Sequence, residues 1–388
     1  MTDNKNILII SPFFYPEPIS TGKFNTNFAT ELAKKGHNVT VLCFHPFYPK
    51  WKVKKSNETL KNIKIVRGGS RIYFTKKTIL KRLILEVSFA FFVLRKGIKY
   101  QKNKDLIIPV FPPSFAFYCL LPFLKKRTRT VGMVHDLQEV YSERKKGLIN
   151  KLTRFFIHRV EHKCYSACHK LLFLSNEMKK EAQRLYHLPE IKLEVQYPFI
   201  TIKEEFSNDL GLILDQKKIN IVYSGALGEK QNPNQLYDFF SKTSEQVNNS
   251  RFHFFSEGDI FNKLKNKNKN KNILFHPLVD KKNLEELYRK STIQVIPQKE
   301  NTSKGSLPSK LPNLLASGTK VLVITDPNSE IDNLFKNNNL SLIASNWDID
   351  YLIKKINTLL EKEINKKDQI AIANKLFTID KMILKLFR

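Results

Sequence analysis

Four short segments of this chain place glycine, lysine, serine or histidine where a ligand, an anion above all, can be received. The first is Ser20-Thr21-Gly22-Lys23. A glycine opening a helix lets a ligand approach backbone N–H groups, the helix dipole favours negative charge there, and Lys23 adds a cation. The spacing is neither G-x-G-x-x-G nor a Walker lysine pattern, and a plain turn is the competing reading. The second is Val134-His135-Asp136, which ends an apolar run and sets two polar side chains where contacts to a ligand are made; a solvent-facing histidine competes. Glu139 and Glu143 follow, read as a solvated face with contacts to ligand hydroxyls as the alternative. The third runs from Tyr223-Ser224-Gly225 through Gly228-Glu229-Lys230-Gln231. Two glycines and a lysine after a strand suit a diphosphate, with backbone donors nearby and an ammonium to offset charge. In the fourth, Leu307 to Gly318, Ser309 is expected to cap a helix whose N–H groups, with Lys310, hold phosphate. Asn313, one turn on, is expected to reach a ribose hydroxyl, and Gly318 to end the helix.

These segments need elements to position them. Apolar runs at 7–11, 39–43, 63–66, 106–109, 130–134 and 171–174 read as strands, separated by amphipathic stretches such as 24–35, which Gly36 stops. The loop 12–22 precedes that helix. The pattern restarts at 219–223 and continues through 251–255, 273–275, 292–296 and 320–324, with a helix from about Pro233. Strands alternating with helices make parallel, doubly wound α/β sheets. Two such domains are expected, over 1–197 and 219–370, with 198–218 as linker and the last helix, 379–387, packing back on the first domain. Ligands of such sheets bind outside the carboxyl ends of the strands, where the four segments fall.

Bulk properties narrow the partners. Lys and Arg number 66 against 36 Asp and Glu, a net charge of +30. Nucleic acid, an anionic membrane and phosphorylated substrates all fit such a charge. Biased composition also contributes, as in the run KLKNKNKNKN over 263–272, read as a solvated loop. No recognised nucleic-acid motif or interleaved aromatic platform is present, so no nucleic-acid partner is expected. Cys43, Cys119, Cys164 and Cys168 match no common zinc spacing, even with His162 and His169 near the last pair, and read as thiols of a reducing compartment. No signal core opens the chain and no run reaches the roughly 20 apolar residues of a spanning helix. A cytoplasmic protein is expected, peripheral on the membrane. Residues 75–104 mix Lys77, Lys81, Arg82, Arg95, Lys96 and Lys99 with Ile, Leu and Phe, and Arg154 to Arg159 extend that character; an anionic interface or a core helix with solvated lysines explains it.

The order of motifs carries a resemblance. Phe13-Phe14-Tyr15-Pro16-Glu17-Pro18, Thr21-Gly22-Lys23, the run ELAKKGHNVTV over 31–41 and Tyr48-Pro49-Lys50-Trp51 are followed by the segments around Gly225 to Gln231 and Pro308-Ser309-Lys310 to Gly318. In this order they resemble family 4 of the glycosyltransferases, the retaining group with the GT-B fold. The likeness is to its exopolysaccharide and O-antigen branch, with colanic-acid fucosyltransferase-like and N-acetylfucosamine transferase-like members. It spans nearly the whole chain.

The resemblance implies two Rossmann-like, doubly wound domains facing a central cleft: an acceptor domain, then a nucleotide-sugar domain. It implies transfer of a sugar from a nucleotide diphosphate donor, a UDP-sugar favoured over a GDP-sugar, with retention and with no metal or other cofactor required. The acceptor is then a lipid-linked or surface glycan of capsule, O-antigen or exopolysaccharide synthesis, met at the cytoplasmic face of an anionic inner membrane. By the same resemblance His135 contacts the transferred sugar and Lys230 holds the diphosphate, the two residues assigned to catalysis. Gly22, Lys23, Gly225, Ser309 and Lys310 face the phosphates, and the loop Phe275-His276-Pro277-Leu278 looks like the base-binding segment through Pro277 and Leu278. Departures are present. Ala226 stands where the family often has Arg, and Gly305 and Asn313 occupy the places of its Glu-x7-Glu pair. They remove the family's carboxylate contact to ribose, with Asn313 as candidate replacement, and leave a catalytically inactive GT-B partner subunit as the alternative.

Overall fold

Strands buried on both faces read as unbroken apolar runs, and this chain builds two sheets of them. The structure, a computed structural model, describes residues 4–17, 19–48, 50–75, 77–125, 127–139, 148–202, 209–211, 213–302, 307–340 and 342–388. Glu143, Gly305 and the prolines at 18 and 49 lie outside the described residues.

The chain divides into two compact units, Met1–Gln196 with Ile379–Arg388, and Tyr197–Thr378. In the first, β1 (Asn6–Ile10), β2 (Asn38–Phe44), β3 (Ile63–Gly68), β4 (Leu106–Phe111), β5 (Arg129–Val134), β6 (Lys170–Phe173) and β7 (Leu193–Val195) form one sheet. Its order is β3-β2-β1-β4-β5-β6-β7, with every neighbouring pair parallel. Its described helices include α1 (Ser20–Lys34), α2 (Thr78–Tyr100), α3 (Phe115–Leu120), α4 (Leu148–Ala167) and α5 (Asn176–Tyr186). Leu8 and Ile10 join Phe89, Val93, Phe117 and Tyr165 in one core; Ile7 and Ile9, alternating with them, face the other side. In the second unit β8 (Ile219–Ser224), β9 (Ser250–Phe255), β10 (Ile273–His276), β11 (Ile293–Pro297), β12 (Lys320–Ile324) and β13 (Leu342–Ala344) order as β10-β9-β8-β11-β12-β13, again parallel. Its helices are α6 (Pro233–Gln246), α7 (Asp259–Lys267), α8 (Leu284–Lys290), α9 (Leu311–Ala316), α10 (Glu330–Asn337), α11 (Ile349–Glu361) and α12 (Lys366–Leu376). Both faces are covered: Ile221, Phe252 and Val295 pack with Phe240 and Ile356, while Val222, Val321 and Val323 pack with Leu314, Phe335 and Phe377.

The last helix, α13 (Ile379–Phe387), belongs to the first unit. Phe387 lies against the His37 ring at 4.9 Å, and its carbonyl accepts from the Arg129 guanidinium at 3.3 Å. Lys170 donates to the Lys385 carbonyl at 3.2 Å, and Lys385 donates to the Val195 carbonyl. Arg129 and Lys170 open β5 and β6, so α13 closes the amino ends of those strands.

Two details differ from the pattern-based reading. Helix α1 starts at Ser20, so Gly22 sits in its first turn instead of before it. The edge strands β7 and β13, three residues each, carry too short an apolar run to stand out.

Candidate functional site

In each sheet the strand order reverses once, at β1/β4 and at β8/β11, and the residues singled out by chemistry cluster at the carboxyl ends around those points. In the first unit α1 follows β1. Its N-cap, Ile19, makes no side-chain cap and its first turn holds no acid, while the Lys23 N–H bonds the Ile19 carbonyl at 3.0 Å. Gly22 is packed, not open: a Cβ there would lie 3.0 Å from the Glu17 Cβ and 3.1 Å from its carbonyl. Glu17 is itself buried, its carboxylate accepting from the N–H groups of Phe47 and Tyr48. The glycine is thus required by close packing of the preceding loop. The next residues, Lys23 and Phe24, bring α1 to the end of β5, where the Phe24 ring meets His135 edge-on at 4.6 Å.

The backbone N–H of His135 donates to the Phe111 carbonyl at 2.8 Å. The ring Nε2 is shielded from solvent and has no hydrogen-bond partner among the described residues. Burial lowers its pKa to about 4, so the ring is a neutral imidazole. Asp136 turns back to accept from the Leu137 N–H at 3.1 Å. Beneath this loop lies a feature the residue pattern did not reveal. The Glu161 carboxylate, wholly buried, accepts from the N–H groups of Gln138 and Glu139 at 3.2 and 3.3 Å and from Tyr165 and Tyr186 at 3.0 and 2.6 Å. Burial raises its pKa to about 7 despite those donors. Glu139 is buried and paired with Arg154 and His158, so it is not a solvated face.

In the second unit the loop after β8 carries Gly225, in a conformation (φ +128°) that favours glycine, with open space where a Cβ would point. Two donors of this loop are already engaged, Gly225 N–H with the Phe255 carbonyl and Gly228 N–H with Gln231. Lys230 is exposed, and its carbonyl accepts from the Lys299 N–H at 2.8 Å, tying this loop to the one after β11.

The fourth segment is arranged differently from expectation. Ser309 is exposed and precedes the N-cap position, which Lys310 occupies without a side-chain cap. The Lys310 ammonium turns inward, donating to the carbonyls of Ser224 and Val295 at 3.2 and 3.0 Å and lying 4.6 Å over the Tyr223 ring. Burial lowers its pKa to about 7. Asn313 is buried, with Oδ1 accepting from the N–H groups of Thr201 and Ile202 and Nδ2 donating to the Thr201 hydroxyl. Its amide secures the entry segment of this unit. Pro277 and Leu278 are exposed just beyond the end of β10. At the end of β9, the Ser256 hydroxyl is buried without a partner among the described residues. No glycine or lysine motif marked that position.

Cys164 and Cys168 are buried, Cys164 against the Ser114 carbonyl. Among the described residues no three His, Cys, Asp or Glu gather as a metal site. No helix among them is long and apolar enough to cross a membrane.

Comparison with known proteins agrees with this architecture. Residues 21–204 match the family described as Glycosyltransferase Family 4, and residues 204–376 match Glycosyl transferases group 1. A protein assigned to colanic acid biosynthesis as a glycosyl transferase, WcaI of Escherichia coli (strain K12), is 25% identical over 354 residues, 84% of this chain and 85% of that protein. Among solved structures, sucrose-phosphate synthase from Thermosynechococcus elongatus superposes with a TM-score of 0.74 at 14% identity, covering 99% and 98% of the two chains. Anabaena Alr3699/HepE in complex with UDP gives 0.65 at 12% identity, with 98% of each chain covered.

Proposed function

Since the chain belongs to the family 4 glycosyltransferases of GT-B fold, enzymes that take a sugar from a nucleotide sugar, we propose that it is a retaining transferase using a UDP-sugar. Its acceptor is a lipid-linked or surface polysaccharide of capsule, O-antigen or exopolysaccharide synthesis. The acceptor class is supported by the likeness to WcaI, and UDP by the complex of HepE.

One observation carries the reading: at the β8/β11 switch point an open glycine loop, Ser224-Gly225, and an exposed cation, Lys230, converge with the loop after β11. Breaking the bond from the sugar C1 to a diphosphate builds an oxocarbenium-like centre and leaves negative charge on the departing phosphate. Fixed positive groups stabilise that charge most when water is excluded. Lys230 supplies it directly. Lys310, bonded to the Ser224 carbonyl, holds the loop in place. In the first unit Gly22 and Lys23 set the start of α1 toward the donor phosphates, and the Nε2 of His135, without a partner among the described residues, takes a hydroxyl of the transferred sugar. Ser309 adds an exposed hydroxyl to the phosphate contacts, and Pro277 and Leu278 flank the base. The test is a thermal-shift screen with UDP, GDP and their sugars, followed by assay of UDP release with lipid-linked acceptors. A ligand binding only the folded state raises stability by RT ln(1 + [L]/Kd). Stabilisation by UDP and not GDP is expected; absence of any nucleotide effect refutes the reading.

A specific surface favours docking of this enzyme on anionic membrane. Leu80, Leu83, Val87 and Phe91 follow one face of α2 and are all exposed, Phe91 by 69%. Leu152, Phe155 and Phe156 of α4 are exposed as well, and the Phe156 ring meets Phe115 of α3, which also contacts α2. Arg82, Arg95, Lys99, Lys151 and Arg159 accompany them, also exposed. Apolar side chains rimmed by cations suit an anionic interface. Sedimentation with phosphatidylglycerol vesicles at physiological salt is expected to remove the protein from solution; full retention in the supernatant rejects this placement.

A further inference from the structure

Three polar side chains form a chain of hydrogen bonds across β8, β9 and β10, beside a core of aliphatic and aromatic residues from the same sheet. Asn220 and His253 are wholly buried, and His276 is half-buried at the last position of β10. Donors and acceptors in this chain are determined one after another. The Asn220 Nδ2 donates to the carbonyls of Asp215 and Lys218, at 2.9 and 3.3 Å, which leaves Oδ1 as acceptor. It lies 3.1 Å from His253 Nε2, so that nitrogen carries the hydrogen. Burial, with His276 and Arg251 nearby, lowers the His253 pKa to about 3, so its Nδ1 is a lone pair. His276 Nε2 lies 3.1 Å from it and must be the donor. Burial and Lys265 lower the His276 pKa to about 4, so this ring is neutral too, and its Nδ1 is left an acceptor. Among the described residues nothing bonds to that Nδ1. The Phe255 ring, stacked at 4.6 Å, fixes the plane of the imidazole.

This inference rests on the proposed nucleotide-sugar reading. In doubly wound sheets the loop after the first strand takes the phosphates and the end of the next strand takes the ribose, which leaves the base at the strand beyond. Here those are the ends of β8, β9 and β10, the last being His276. We infer that His276 reads the nucleobase, its Nδ1 accepting the imide N3–H of uracil, with Asn220 and His253 as positioning residues that hold it in the accepting tautomer. A cytosine, whose N3 bears a lone pair, would meet acceptor with acceptor and is discriminated against.

The experiment is calorimetric titration of the full chain with UDP, CDP and N3-methyl-UDP. Wild type is expected to bind UDP about tenfold or more tightly than the other two, the effect of leaving one acceptor unpaired. His276→Phe, which keeps the stacking and removes the acceptor, is expected to bring the three within about twofold. Asn220→Leu, which frees the His253 tautomer, is expected to narrow the preference with a smaller change. Equal binding of UDP and N3-methyl-UDP by wild type overturns the assignment of His276 while leaving the proposed function standing; this arm needs no variant to fold. Binding of none of the three overturns both.

Discussion

The Nζ of Lys310 lies 3.2 Å from the carbonyl oxygen of Ser224, the residue before the open glycine, and 3.0 Å from that of Val295. One side chain thus joins the ends of β8 and β11, from which the candidate phosphate loops depart.

Lys310→Met is expected to leave those carbonyls unpaired, at a cost of about 1–3 kcal/mol, and to weaken UDP binding. A second signature is pH-dependent. The folded state holds the Lys310 pKa down at about 7, below its ordinary value of 10.5, so the unfolded chain binds more protons between those limits. Stability of wild type relative to Lys310→Met should therefore rise with pH over that window and fall as pH drops through about 7. Paired thermal melts from pH 6 to 10 check the sign; parallel curves would place the amine in solvent.

Lys230→Ala is expected to lower kcat by about a hundredfold or more, the scale of losing one charge-stabilising donor, with a smaller change in KM. Steady-state UDP release measures it. An unchanged kcat takes Lys230 out of the reaction.

Glu161→Gln tests the support beneath the His135 loop. The folded pKa of Glu161 is raised to about 7, so the folded state binds more protons than the unfolded one from the ordinary value of 4.5 upward. Its contribution is therefore present below that range and declines as pH rises through 7. Wild type should lose stability relative to the glutamine variant between pH 5 and about 8. Denaturant titrations at three pH values decide it, and a constant difference contradicts the buried placement.

His135 should give no titration of its own near neutrality, since burial holds its pKa at about 4. The kcat profile is expected to be flat in this residue from pH 5.5 to 7.5, and His135→Ala to lower kcat about tenfold to a hundredfold by removing one ligand bond. An inflection near 6.5 that vanishes in the variant would show a solvated ring instead.

The strands were legible because burial on two faces demands long apolar runs, as in Leu106 to Phe111. The start of α1 was not, because Gly22 argues locally against helix while packing on Glu17 admits it there. The candidate loops were found through glycine, lysine and strand ends. Their side-chain directions were hidden, since these come from distant partners: Lys310 turns inward to carbonyls 86 and 15 residues away, and Asn313 is occupied by Thr201, 112 residues away. Asn220, His253 and His276 share no sequence period, so only the pairing of β8, β9 and β10 brings them into line.

Helix α13 carries a consequence for how the polypeptide is made. Domains tend to fold as they leave the ribosome, amino-terminal portions first. Here the first unit lacks a piece that is translated only after the whole second unit, so its sheet waits with the amino ends of β5 and β6 uncovered. The half synthesised earliest is the half completed last.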